Sequence, residues 1–154
     1  MSLPEITSQR QRLDDLFDKA KGLDPEVQAH WSRYLCVLIS GFLENCVRLT
    51  YAEYVINRSE ASVANFVERN LRRFQNPRMN LIIETAGMFS DDWREQLELQ
   101  TEGQLETSVN SIVANRHQIA HGKSVQLTLQ LLSQYYGDAL KVVSLLRRQC
   151  GLAN

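Results

Sequence analysis

After Pro25 the segment from Asp24 to Asn57 holds no further proline, and its apolar residues Trp31, Leu35, Leu38, Phe42, Cys46 and Leu49 step by three and four. Ile39, Leu43 and Val47 widen this stripe until the middle of the segment is apolar nearly all round. That pattern belongs to a helix enclosed by other helices rather than laid on a surface. Elsewhere no alternating run of β-branched residues is long enough to support a sheet. The chain therefore reads as all-α, an antiparallel bundle of about five to seven helices. Unbroken to Asn57, the long helix would measure roughly 50 Å, more than the width of a domain of this size, so it is expected to bend, split or project.

Proline and glycine punctuate the rest. Pro4, Pro25 and Pro77 each stand where a helix would begin, the last two directly after Asp24 and Asn76. The first helix is expected to run from Pro4 to about Lys21, ended by a left-handed Gly22. Ser59 is expected to cap a third helix reaching Phe74, Asn76 a fourth reaching Met88, and Ser90, followed by Asp91 and Asp92, a short fifth. Thr101 and Gln104 match a capping box opening a helix that Gly122 stops near His121, and the last helix spans Thr128 to Gln149.

At 154 residues and 44% hydrophobic content, one domain over 1–154 is the expected organisation. With 17 Lys+Arg against 18 Asp+Glu there is no overall basicity, so any nucleic-acid contact must be local. Cys36, Cys46 and Cys150 form no C-x-x-C pair, which argues against a disulfide framework or a cysteine zinc site and fits a reducing compartment. Met1 to Gln11 lacks the basic end and apolar run of a signal peptide, and the apolar run Tyr34–Leu43 is about half of what a bilayer requires. The expected location is cytoplasmic, with no membrane contact.

The pattern breaks in the helix after Thr101. At about 100° per residue, Leu105, Val109, Ile112, Val113, Ile119 and Ala120 make one apolar stripe, and Arg116 falls at its centre. Asn110, His117 and His121 form a polar strip beside it, the two histidines one turn apart. Three chemistries suit such a segment. Arg116 could pair with a carboxylate such as Glu44 on the central helix, a purely structural role. His117 and His121 could share a zinc ion, although Gln118 stands where H-E-x-x-H has its general base and no third ligand is evident. Or an imidazole and a guanidinium could act on an RNA phosphate, and two copies of the motif facing across a two-fold axis would serve both sides of that phosphate.

The run Asn115-Arg116-His117-Gln118-Ile119-Ala120-His121-Gly122 resembles the R-x4-6-H signature of the HEPN superfamily, in particular its RiboL-PSP-like branch. The frame is similar as well: a long early helix whose apolar run ends in Ser40-Gly41-Phe42-Leu43-Glu44, the motif near the end of a later helix, and one closing helix. The resemblance implies a homodimeric, metal-independent endoribonuclease with no cofactor. Its composite site would leave a 2′,3′-cyclic phosphate, in the service of a toxin–antitoxin pair, phage defence or RNA processing, with an antitoxin or defence-system protein as a further partner. His121 would be the acid–base group, Arg116 the phosphate contact, His117 an orienting neighbour and Glu44 an acidic residue opposite the motif. Lys123 stands where some members carry a tyrosine, so silencing by nucleotidylation of that tyrosine is not expected. Some members are non-catalytic, which keeps a helical module binding protein or nucleotide as the alternative, and a metal-dependent hydrolase using His117 and His121 as a more distant one.

Other candidates surround the motif. Asn115 and Lys123 flank it as RNA contacts. Arg72 and Arg73, within the basic run Arg69 to Arg78, could hold an RNA backbone, or the run could be a solvated face with Glu68 and Glu84 nearby; Arg147 and Arg148 add charge at the far end. Tyr136, Trp31 and Trp93 read as core, and His30 as a structural histidine.

Overall fold

The structure, a computed structural model, describes residues 4–154, so the first three residues of the Met1–Gln11 stretch lie outside the described residues. It is all-α, with seven helices and no strand among the described residues: α1 Pro4–Ala20, α2 Pro25–Ile56, α3 Ala61–Leu71, α4 Met79–Phe89, α5 Asp91–Thr101, α6 Gln104–Ala120 and α7 Leu129–Gln149.

α2 is the spine, and it does not split. It runs unbroken for 32 residues because its apolar positions are covered along its length, with buried residues from Ser32 to Val55. α1, α6 and α7 pack on it, and α3 joins toward its C-terminal end. There an aromatic cluster closes over the helix: Tyr51 stacks on Phe89 at 4.7 Å, and Tyr54 meets Trp93 edge-on at 5.1 Å. By length and hydropathy α2 could cross a membrane, yet 56% of its apolar window is buried within this bundle.

Some sequence signals act as expected. Pro25 sits in the first turn of α2, the Ser90 hydroxyl accepts from the Trp93 N–H, and the Thr128 hydroxyl accepts from the Leu131 N–H at 3.1 Å. Others are overridden by tertiary contacts. Gly22 does not take the left-handed conformation; the chain turns there with the Leu23 N–H on the Ala20 carbonyl. Ser59 donates back to the Val55 carbonyl at 2.8 Å instead of capping α3, which starts at Ala61 and ends at Leu71. Asn76 is no cap either: it takes φ 55°, its N–H donates to the Glu44 carboxylate at 3.2 Å, and α4 starts at Met79 with its N–H on the Asn110 carboxamide oxygen at 2.9 Å. The Thr101–Gln104 box does not form. Thr101 ends α5, buried, with its hydroxyl on the Leu97 carbonyl, and the Gln104 amide reaches Asp138 at 3.0 Å while Gly103 turns the chain at φ 95°.

Two buried charges tie the bundle together. Asp138 on α7 accepts from Ser108 at 2.6 Å, Gln104 and Lys141; burial alone would raise its carboxyl, but these hydrogen bonds outweigh that and hold it below the usual carboxylate range. Arg147 belongs to no exposed basic patch. Only 1% exposed, it donates to the Glu53 carboxylate of α2 at 3.1 Å and to the Ala153 carbonyl. Tyr136 is core, stacked on Phe17 at 5.3 Å with its hydroxyl donating to Asp14, and Trp31 and Trp93 pack half-buried against the core. The three cysteines are buried free thiols; burial pushes Cys36 and Cys46 up to about 12 and Cys150 to about 11, so none offers a thiolate at neutral pH.

Candidate active site at the end of α6

α6 presents the apolar stripe its spacing predicts: Val109, Ile112 and Val113 are buried, and Leu105 and Ile119 pack half-buried against the core, although Ala120 is exposed. Arg116 lies in that stripe one turn beyond Ile112. It is half-buried, and it makes no ion pair or hydrogen bond among the described residues. A guanidinium partly withdrawn from water without a carboxylate is costly to keep, and it stands ready for an anion.

The two histidines follow on the adjoining face. Both are exposed, and their rings meet edge-on at 63° with centroids 4.4 Å apart. The helix end that holds them is fixed by backbone geometry. The Gly122 N–H bonds to the Ile119 carbonyl and the Lys123 N–H to the Gln118 carbonyl, both at 3.0 Å, which is the Schellman arrangement. It requires φ 69° at Gly122, where a side chain would be strained. The turn leaves His121 as the C-cap residue directly after α6 and Lys123 exposed two residues beyond it. Asn115 donates its amide to the Ser111 carbonyl at 2.8 Å, which fixes its side chain and leaves its oxygen available. Asn110, expected on the polar strip, is instead consumed as the cap of α4. Among the described residues no group of three or more His, Cys, Asp or Glu could hold a metal ion, so the zinc donor set stops at two imidazoles.

The Arg116–Glu44 pair does not form. Glu44 faces Arg48 at 3.6 Å and accepts from the Asn76 N–H, so its carboxylate secures the segment between α3 and α4. The packing explains the separation. α2 and α6 run antiparallel, pinned where the Cys36 thiol meets the Ile112 carbonyl at 3.5 Å. From that level, at ~1.5 Å per residue, Glu44 lies about 12 Å one way along α2 and Arg116 about 6 Å the other way along α6. Within one protomer Glu44 is therefore not part of the motif's surroundings. Arg72 and Arg73 are also elsewhere: both are exposed at the end of α3, where Arg48 donates to the Leu71 and Arg72 carbonyls.

One cation escaped the sequence reading. Arg33, on the N-terminal third of α2, lines a cleft of about 580 Å³ against Ser124 to Leu129, the segment that leaves Lys123. It forms no ion pair among the described residues, and its guanidinium contacts His30 Nδ1 at 3.3 Å. The His30–Arg33 spacing, three residues on one helix, was the available signal. The antiparallel register brings this pair to the end of the bundle that carries Arg116, His117, His121 and Lys123, so that end holds three histidines and three cations that form no ion pair among the described residues.

The comparisons agree with this frame. The family model described as RiboL-PSP-HEPN matches residues 4–151, which takes in all seven helices and the whole motif. No curated protein and no solved structure matches the chain. A match over nearly the full length, on an all-α frame with Arg116 and His121 closing the penultimate helix, makes the chain a member of the RiboL-PSP-HEPN family.

Proposed function

We propose that the protein is a metal-independent endoribonuclease whose site is completed by a second copy of the chain. The observation that carries this reading is Arg116: a half-buried guanidinium without a partner, followed one and five residues later by two exposed imidazoles at a helix end fixed by backbone hydrogen bonds. In the reaction an imidazole takes the proton of an RNA 2′-hydroxyl as that oxygen bonds to phosphorus. The bond to the 5′-oxygen breaks, and a second imidazole protonates the departing oxygen, leaving a 2′,3′-cyclic phosphate and a 5′-hydroxyl. Arg116 binds the non-bridging oxygens with its planar fork and stabilises the charge that builds there. His121 is the acid–base group and His117, in ring contact with it, orients it. In this reading Lys123, Asn115 and Arg33 hold the flanking strand.

The motif lies on an open surface, so one protomer offers no second wall. α2 supplies the means of bringing a second copy close: Val27, Tyr34 and Val37, 43%, 48% and 38% exposed, make an apolar stripe at helical spacing on the outer face of the same half of α2. A two-fold contact along it sets two motifs near one axis. In the cell such cleavage suits a toxin or a defence factor held by a partner protein.

The test is direct. Single-stranded RNA incubated with the protein is expected to be cut equally with and without EDTA, with 2′,3′-cyclic phosphate ends seen by mass spectrometry. Cleavage lost in EDTA would favour hydrolysis through a His117–His121 metal site, and no cleavage under any condition would leave a helical binding module.

A further inference from the structure

α3 is an amphipathic helix with most of its apolar face uncovered. Of its eleven residues only Leu71 is buried, while Val63 is 49% and Phe66 69% exposed. A helix of this length is marginal alone, and its packing is essentially on α2. Across from it α4 leaves Met88 77% exposed. Between the two runs an apolar groove of about 490 Å³, walled by Phe66, Val67, Phe74, Leu81 and Met88. Single exposed apolar residues are ordinary; a contiguous groove with two large side chains standing at its rim is a docking surface.

The charge around it is one-sided. Arg73 lines the groove and Arg69 stands one turn from Phe66, neither in an ion pair among the described residues, while Arg72 at the helix end faces away from it. No carboxylate lines the groove, and Glu68 points about 160° round the helix from Phe66. The rim is also held in place, because Arg48 of α2 donates to the Leu71 carbonyl at 3.2 Å and the Arg72 carbonyl at 2.8 Å, and Glu44 fixes the Asn76 N–H. A fixed groove binds without the entropy of ordering itself.

The geometry points to the α3–α4 groove as the docking site for an amphipathic helix of a partner protein, one that seats apolar anchors beside Phe66 and Met88 and sets acidic residues against Arg69 and Arg73. The mode is a helix laid in a groove, read by anchors at i, i+3, i+4 and i+7. The arginines select an acidic partner and speed its approach. This surface lies toward the opposite end of α2 from Arg116 and His121, so a bound partner can be recognised without occupying the motif. It also gives the basic run Arg69 to Arg73 a protein ligand rather than the RNA expected from sequence.

Fluorescence anisotropy with two labelled peptides tests this. Both are helical, about 16 residues long, with Leu and Phe at the anchor positions; one carries Glu and the other Lys at the remaining sites. The Glu peptide is expected to bind the full chain about tenfold tighter than the Lys peptide or better, to lose that affinity with Phe66→Asp, and to reverse its preference with Arg69→Glu combined with Arg73→Glu. Phe66 is largely exposed, so the variant keeps its helical circular dichroism and its melting temperature. Equal affinity for the two peptides, no binding up to about 1 mM, or binding indifferent to Phe66→Asp overturns the proposal. So does self-association abolished by Phe66→Asp, which would make a second copy the occupant, or a loss of single-stranded RNA affinity in the Arg69/Arg73 variant, which would return the patch to RNA.

Discussion

Replacing either Arg116 or His121 with alanine is expected to lower RNA cleavage about a thousandfold while leaving the fold intact. Neither side chain holds the bundle together: Arg116 has no partner to lose, and His121 is exposed at a helix end that backbone hydrogen bonds secure. Melting temperatures of both variants should therefore match the wild type, which separates chemistry from stability. Arg116→Lys should not recover the rate, because a point charge cannot reproduce the two-pronged contact of a guanidinium with phosphate. Wild-type turnover in Arg116→Lys, or in either alanine variant, would contradict the roles assigned.

The largest effect on stability is expected at the other end of the molecule. Glu53→Ala leaves the buried Arg147 guanidinium without its carboxylate, and removing one partner of a buried pair costs about 3 kcal/mol or more, roughly a 10 °C fall in melting temperature for a chain of this size. Arg147 already keeps one buried nitrogen without a hydrogen-bond partner, so little else is at hand to take up the charge. Scanning calorimetry on Glu53→Ala and on the charge-free double variant Glu53→Leu/Arg147→Leu distinguishes the pair from its surroundings. The double variant should recover much of the loss, because the cost lies in the orphaned charge rather than in the missing contact. A single variant as stable as the wild type would show that the pair carries no weight.

Why the helices and the motif could be read from sequence, while their joints could not, follows from the range of the interactions. The α6 stripe, its stop at Gly122 and the Ser90 and Thr128 caps depend on residues within a turn or two, and spacing captures them. Asn76 and Thr101 look equally good as caps, but Glu44 and Asn110 arrive from other helices to take the N–H groups at the start of α4, and Thr101 is turned into the core. α2 was expected to bend, split or project on its isolated length; it does not split, because an aromatic cluster covers its far end. In the site, Arg116, His117 and His121 share one helix and were legible together. Glu44 was assigned to them, and Arg33 left out, for one reason: the register of α2 against α6 is set by packing such as Cys36 on Ile112, which local pattern does not encode.

The central claim is that two motifs act in one site. It is tested most directly by titrating wild-type protein with the double variant Arg116→Ala/His121→Ala under conditions that let subunits exchange, and following RNA cleavage per wild-type subunit. If each site needs both protomers, a threefold excess of variant leaves about a quarter of the wild-type subunits paired with one another, and specific activity falls to about that fraction. Specific activity that stays constant across the titration would mean that each protomer cleaves on its own, and would contradict the composite site.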